Sequence, residues 1–173
     1  MTAPLPELRL QSVNNPAVQP DTEYGDARRA ILGGPAFATA ASEITRWPGY
    51  APTPLTPLAG LARAAGVAAI HYKDEAGRFG LGSFKALGGA YAVSRLLIRE
   101  IESRTGETGV GVADLLSGRF VGLTRTLTVT CATDGNHGRS VAWGAQRFGC
   151  QCVIYVHATV SQGRADAIAH YGA

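Results

Sequence analysis

From Val67 to its last residue, the chain alternates short β-prone runs with segments patterned for helix, and this alternation constrains its fold most. Val67 to Tyr72 is a brief, mostly apolar run that reads as a strand. From Phe84, the residues Leu87, Ala90, Tyr91, Ser94, Leu97, Ile98 and Ile101 recur at three- and four-residue spacings, the period of an amphipathic helix. Residues 104–123 are glycine-rich and weakly patterned, with a short helix expected around 112–116. Leu127 to Cys131 is β-rich and is followed by a glycine turn and a helix over about 138–148. A third strand over 151–157 and a third helix over 162–171, ended by Gly172, complete the series. Three strand–helix repeats predict an α/β fold, a parallel sheet with crossover helices. The last helix has no return strand to pack on, so the chain is expected to be the N-terminal portion of a longer protein. A complete small α/β domain ending on a helix is the alternative that length leaves open.

The first 58 residues differ in character. Asn14-Asn15-Pro16 and the series Pro48, Pro52, Pro54 and Pro57 punctuate a segment expected to wrap over a surface rather than form a core. A short helix is expected from Ala27 to Leu32, closed by Gly33-Gly34-Pro35, and another from Leu58 to Ala65, stopped by Gly66. Tyr50 to Leu55 reads as extended, because each residue before a proline is pushed out of the α region.

Composition excludes several classes. Hydrophobic residues make up 46% and charged residues 17% of the 173, which suits a packed core and argues against disorder. The net charge is +3 with the basic residues scattered, so no nucleic-acid footprint is expected. No apolar stretch approaches the roughly 18 residues of a membrane span, and no signal-peptide core is visible. Three cysteines make no disulfide framework, and their spacing matches no zinc site, so a reduced, cytoplasmic protein without a metal is expected.

Two glycine-bracketed segments carry chemistry. The first runs Gly77-Arg78-Phe79-Gly80-Leu81-Gly82-Ser83-Phe84-Lys85-Ala86-Leu87-Gly88-Gly89. A nucleotide-binding P-loop requires lysine directly after its last glycine, whereas here Ser83 holds that place and the lysine lies two residues on. What remains is Lys85 in the first turn of a helix, with Ser83 placed to cap it. The positive end of the helix dipole opposes a second positive charge there, and Schiff-base chemistry requires a neutral amine. Gly88 and Gly89 would leave room beside the helix for a flat ring. A solvated lysine at a helix start, with glycines for packing, explains the same residues.

The second segment is Ala132-Thr133-Asp134-Gly135-Asn136-His137-Gly138-Arg139-Ser140, between a strand and a helix, where open α/β sheets place ligands. Its backbone amides and the helix N-terminus suit a carboxylate or phosphate. Asp134 is suited to a general base held beside a substrate. An Asp-Gly turn with Asn136 in the left-handed conformation explains these residues too, and the sequence leaves both open.

Together the two segments resemble fold-type II pyridoxal-phosphate enzymes, whose fold is that of the tryptophan synthase β-subunit, and most of all the diaminopropionate ammonia-lyase family. Residues 82–92 look like that family's cofactor-lysine segment, and residues 132–139 like its asparagine loop. The resemblance runs from about Asn14 to Ala173. Asp134 separates it from serine and threonine dehydratases of the same fold, which usually carry Ser, Thr or Ala there. The resemblance implies that pyridoxal 5'-phosphate is held by Lys85, which also serves as the base on the L-isomer's α-hydrogen. It implies that Asp134 takes the α-hydrogen from the opposite face and that Asn136 donates to the cofactor's ring oxygen. Thr133, Gly135 and His137 would surround the substrate carboxylate. The reaction implied is elimination of 2,3-diaminopropionate, a small amino acid, to pyruvate and ammonia, by an enzyme that is a homodimer at full length.

Family members are more than twice as long, and their phosphate-binding glycine loop lies beyond residue 173. Residues 1–70 are therefore expected to belong to a larger cofactor domain and residues 71–173 to form the smaller α/β domain. The 173-residue chain is expected to show little or no activity alone. A serine or threonine dehydratase and a catalytically silent truncated domain are the competing functions. Cys131, Cys150 and Cys152 are expected to be small buried hydrophobes, Trp47 and Trp143 to pack, and His71 and His157 to be structural. Arg139 is expected on a helix surface, and Tyr72, Lys73 and Asp74 close the first strand.

Overall fold

The computed structural model describes residues 13–19, 22–133 and 135–173. It divides into two compact units, one of residues up to Thr39 with Leu55–Lys73, the other of Ala40–Pro54 with Asp74–Ala173.

The first unit holds α1 (Asp26–Leu32), the start of α2 (Gly34–Ile44), β1 (Leu55–Pro57), α3 (Ala59–Ala65) and β2 (His71–Lys73). The Gly33-Gly34-Pro35 signal that ends α1 also opens α2, with proline in the first turn, where its missing N–H costs nothing. Four alanines between 36 and 41 then favour helix, so a segment expected to be irregular is helical. β2 pairs antiparallel with β1, with Leu55 opposite Lys73 and Pro57 opposite His71. The strand expected over 67–72 is thus shorter, and it does not join a parallel sheet. The reason lies in the end of α3. Gly66 turns left-handed at φ 67°, and the N–H groups of Gly66 and Val67 donate to Arg63 and Ala62 carbonyls, which commits Val67 to closing the helix.

The second unit contains α4 (Ala86–Thr105), α5 (Val112–Leu116), α6 (Val121–Thr124), β3 (Thr128–Ala132), α7 (Asn136–Phe148), β4 (Gln151–Tyr155) and α8 (Gln162–Ala169). β3 and β4 run parallel, Thr128 beside Gln151 through Ala132 beside Tyr155, with α7 as their crossover. Val129, Cys131, Cys152 and Ile154 face the core, and Thr128, Thr130, Val153 and Tyr155 are exposed on the other face. Among the described residues the parallel sheet therefore has two strands rather than three.

The core lies between α4 and α7. Ala86, Ala90, Val93, Leu97, Ile98 and Ile101 form the buried stripe of α4, and burying Leu97 and Ile101 contributes about 1.5–3 kcal/mol each. From α7 come Val141, Ala142, Ala145 and Phe148. The two helices approach closely because their contact residues are small. A Cβ on Gly144 would lie 2.8 Å from the Ala90 Cα, and one on Gly89 would lie 2.4 Å from the Ser140 hydroxyl. This contact brings the N-terminal ends of both helices into one region. Among the described residues, no helix is long and apolar enough to cross a membrane.

Candidate active site

The turn leading to Lys85 is held from below. Arg78 is 6% exposed, and its guanidinium donates to Glu75 Oε2 at 2.8 Å, the Ala51 carbonyl at 2.7 Å and Thr53 Oγ1 at 3.2 Å. It also lies 5.2 Å from the Tyr50 ring centroid, and Thr53 donates to Glu75 in turn. A charge so enclosed is tolerated only because its partners replace water. Phe79 takes a positive φ of 49°, a strained conformation for a residue with a side chain. Packing compensates, since its ring sits 5.2 Å from Trp143, 6.0 Å from Trp47 and 6.3 Å from Tyr50. Gly80 and Gly82 follow at φ 72° and 65°, where glycine carries no Cβ penalty.

Ser83 is buried, and its hydroxyl accepts the Lys85 N–H at 3.1 Å, so it closes the turn before α4, while the helix cap falls on Lys85 without a side-chain cap bond. Lys85 itself is the residue before the first α4 residue, and its side chain is exposed, the Nζ 4.6 Å from the Phe84 ring centroid. Gly88 faces open space, consistent with room beside the helix, but Gly89 does not: Ser140 fills the place of its missing side chain. Half of the expected ring space is therefore a helix contact.

The asparagine segment arrives from α7. Asn136 is the first residue of that helix, and Gly135 precedes it at φ −164° and ψ −138°, with no side chain of its own to cap the first turn. Asn136 is therefore helical and not in the left-handed conformation of an Asp-Gly turn. The leading N–H groups of a helix have no intrahelical partner, which leaves this turn suited to an anion. Two side chains of α7 reach the lysine turn. Ser140 Oγ donates to the Lys85 carbonyl at 2.8 Å, and Arg139 Nη1 donates to the Leu81 carbonyl at 3.1 Å. Arg139 is thus half-buried and bracing rather than on an open helix surface.

The other expected residues are distributed less tightly. The Thr133 N–H donates to the Tyr155 carbonyl at 2.9 Å, and Thr133 lines a cavity of about 370 Å³ with Tyr155 and His157. His137 instead lines a groove of about 460 Å³ with Gly89, Val93 and Leu97, beside β3. Asp134 lies outside the described residues. Burial pushes the Cys150 and Cys152 thiols up to about 11 and raises Cys131 as well, so none is poised as a nucleophile. Sequence reasoning missed Ser140, the Arg139 brace and the Arg78 network. Only Ser140 left a signal, being four residues after Asn136 and so on the same helix face.

A parallel strand–turn–helix whose leading turn abuts a glycine-entered lysine defines the class, and the chain belongs to the pyridoxal-phosphate-dependent enzymes, whose family model matches residues 46–173. Its fold is that of fold-type II members of this class. It is 41% identical over 152 residues to diaminopropionate ammonia-lyase of Salmonella typhimurium, covering 87% of this chain and 37% of that protein. The solved structure of diaminopropionate ammonia lyase from Escherichia coli in complex with D-serine superposes with a TM-score of 0.67 at 40% identity, over 78% of this chain and 33% of that one. A pyridoxal 5'-phosphate-dependent aspartate racemase superposes with a TM-score of 0.53 at 26% identity, covering 79% of this chain and 35% of that chain. The chain spans about a third of the length of the curated relatives it matches.

The residues present fit the family's cofactor. The Lys85 side chain is exposed at its helix start, Gly88 leaves open space beside it, and the first turn of α7 lies against the same region through Arg139.

Proposed function

We propose that this chain carries the lysine and asparagine segments of a diaminopropionate ammonia-lyase, which converts 2,3-diaminopropionate to pyruvate and ammonia. The observation that carries this reading is the direct tie between the two segments, Ser140 Oγ to the Lys85 carbonyl at 2.8 Å. Pyridoxal phosphate, when bound, supplies the electron sink that makes the substrate's α-hydrogen acidic. The protein supplies position and proton transfer. Lys85 would hold the cofactor through its amine and, with that amine free again, would take the α-hydrogen of the L-isomer, while Asp134 would take that of the D-isomer from the opposite face. Asn136 donates a hydrogen bond to the cofactor ring oxygen, and Thr133, Gly135 and His137 receive the substrate carboxylate.

In this reading residues 71–173 are the smaller domain and residues 1–70 part of a larger one, with 40–54 packed on the former. The whole enzyme is a cytoplasmic homodimer, and the 173-residue chain alone turns over slowly. Pyruvate release from 2,3-diaminopropionate, serine and threonine, each with pyridoxal phosphate supplied, tests the substrate. Diaminopropionate should be preferred, in both isomers, and Asp134→Ala should remove the D-isomer activity first. A preference for serine or threonine would replace the lyase with a dehydratase.

A further inference from the structure

We propose that Ser140 is a positioning residue, whose hydroxyl sets the Lys85 turn at a fixed distance from the Asn136 turn of α7. This rests on the reading of Lys85 as the cofactor lysine. A serine inside a helix ordinarily points to solvent or bonds back to its own preceding turn. Ser140 does neither. It is 1% exposed and bonds across to α4, donating to the Lys85 carbonyl at 2.8 Å and accepting the Ala90 N–H at 3.1 Å. Those two groups bracket the first turn of α4, and the Lys85 carbonyl also accepts the Gly89 N–H at 2.9 Å. The hydroxyl therefore satisfies one donor and one acceptor of the segment that carries the lysine.

The approach is built for this hydroxyl. Gly89 lacks the Cβ that would lie 2.4 Å from Ser140 Oγ and 2.9 Å from its Cβ. Asn136 and Ser140 are four residues apart on α7 and share a face, so one hydroxyl on Lys85's own peptide fixes where the amine starts relative to Asn136. A reacting amine depends on such placement, because small displacements cost large factors in rate.

The purified chain tests this with Ser140→Ala, and Ile98→Ala serves as a packing control elsewhere on α4. Amide hydrogen exchange over residues 86–90 should quicken roughly tenfold in Ser140→Ala beyond any change in the control, the effect of losing buried hydrogen bonds. Borohydride reduction with pyridoxal phosphate should label Lys85 several-fold less in Ser140→Ala, with Lys73 unchanged. In the unaltered chain the Ser140 hydroxyl proton should exchange slowly enough to give its own nuclear magnetic resonance signal, which decides the tie even if the variant fails to fold. A hydroxyl in free exchange, unchanged amide exchange in the variant, or quickened exchange with undiminished Lys85 labelling would overturn the proposal. Equal labelling of Lys73 and Lys85 in the unaltered chain would overturn the reading of Lys85 itself and the proposal with it.

Discussion

Arg78 keeps its charge at 6% exposure, and the Glu75 carboxylate beside it is 18% exposed, so each makes the other's burial tolerable. Removing one partner leaves the other enclosed and uncompensated, at a cost of about 3–5 kcal/mol. Glu75→Ala should therefore lower Tm by roughly 6–20 °C, given about 2–4 °C per kcal/mol for a chain near this size. Thermal unfolding followed by circular dichroism measures this, and a change under one degree would show that the pair does not hold the turn. Glu43 gives the opposite sign. Burial raises its carboxyl above the ordinary value, against the pull of Arg95 and Ser94, and its Oε1 is buried with no hydrogen-bond partner among the described residues. The folded state thus binds this proton more tightly than the unfolded chain. The stability it brings is full below pH 4.5 and is lost as pH rises through the raised folded value. Glu43→Gln should raise Tm by about 1–3 °C at pH 7 and by nothing near pH 4, as paired melts at the two pH values would show. The places of Lys85 and Asn136 at the starts of α4 and α7 were legible in the sequence because glycines bracket them. The ties of Arg78 to Ala51 and Thr53 and of Ser140 to Lys85 were not, because those partners lie 25 to 55 residues away and no local pattern encodes such contacts.

Between elements, the closest packing is that of α4 on α7. Gly144 faces Ala90 with 2.8 Å between a built Cβ and the Ala90 Cα, so any side chain there must separate the helices. Gly144→Val should cost about 1–3 kcal/mol by overpacking. Because the same contact sets the Lys85 turn, the substitution should also reduce borohydride labelling of Lys85. Urea unfolding read beside that labelling checks both, and lost stability with intact labelling would uncouple packing from the site. Most of these elements were legible. α4 declares itself through apolar residues at three- and four-residue spacings, and β3, α7 and β4 through alternation of strand and helix composition. α2 was hidden because Gly33-Gly34-Pro35 reads as a stop signal, although proline is equally at home in a first helical turn. β2 was misjudged because an apolar run was taken as paired, when its first residue closes α3.

For the whole molecule, the resemblance of residues 82–92 and 132–139 to a known family pointed to the class of enzyme, and the match over residues 46–173 establishes it. The packing that joins the two motifs was not legible, since it depends on α4 and α7 meeting at Gly89 and Gly144. Composition said little about substrate. The chain contains only two lysines, Lys73 and Lys85, which makes the central claim accessible to one measurement. Titration with pyridoxal phosphate, followed by borohydride reduction and peptide mapping, should place a saturable pyridoxyl label on Lys85 in clear excess over Lys73. A label shared evenly between them, or rising without saturation on both, would contradict a cofactor site at the start of α4.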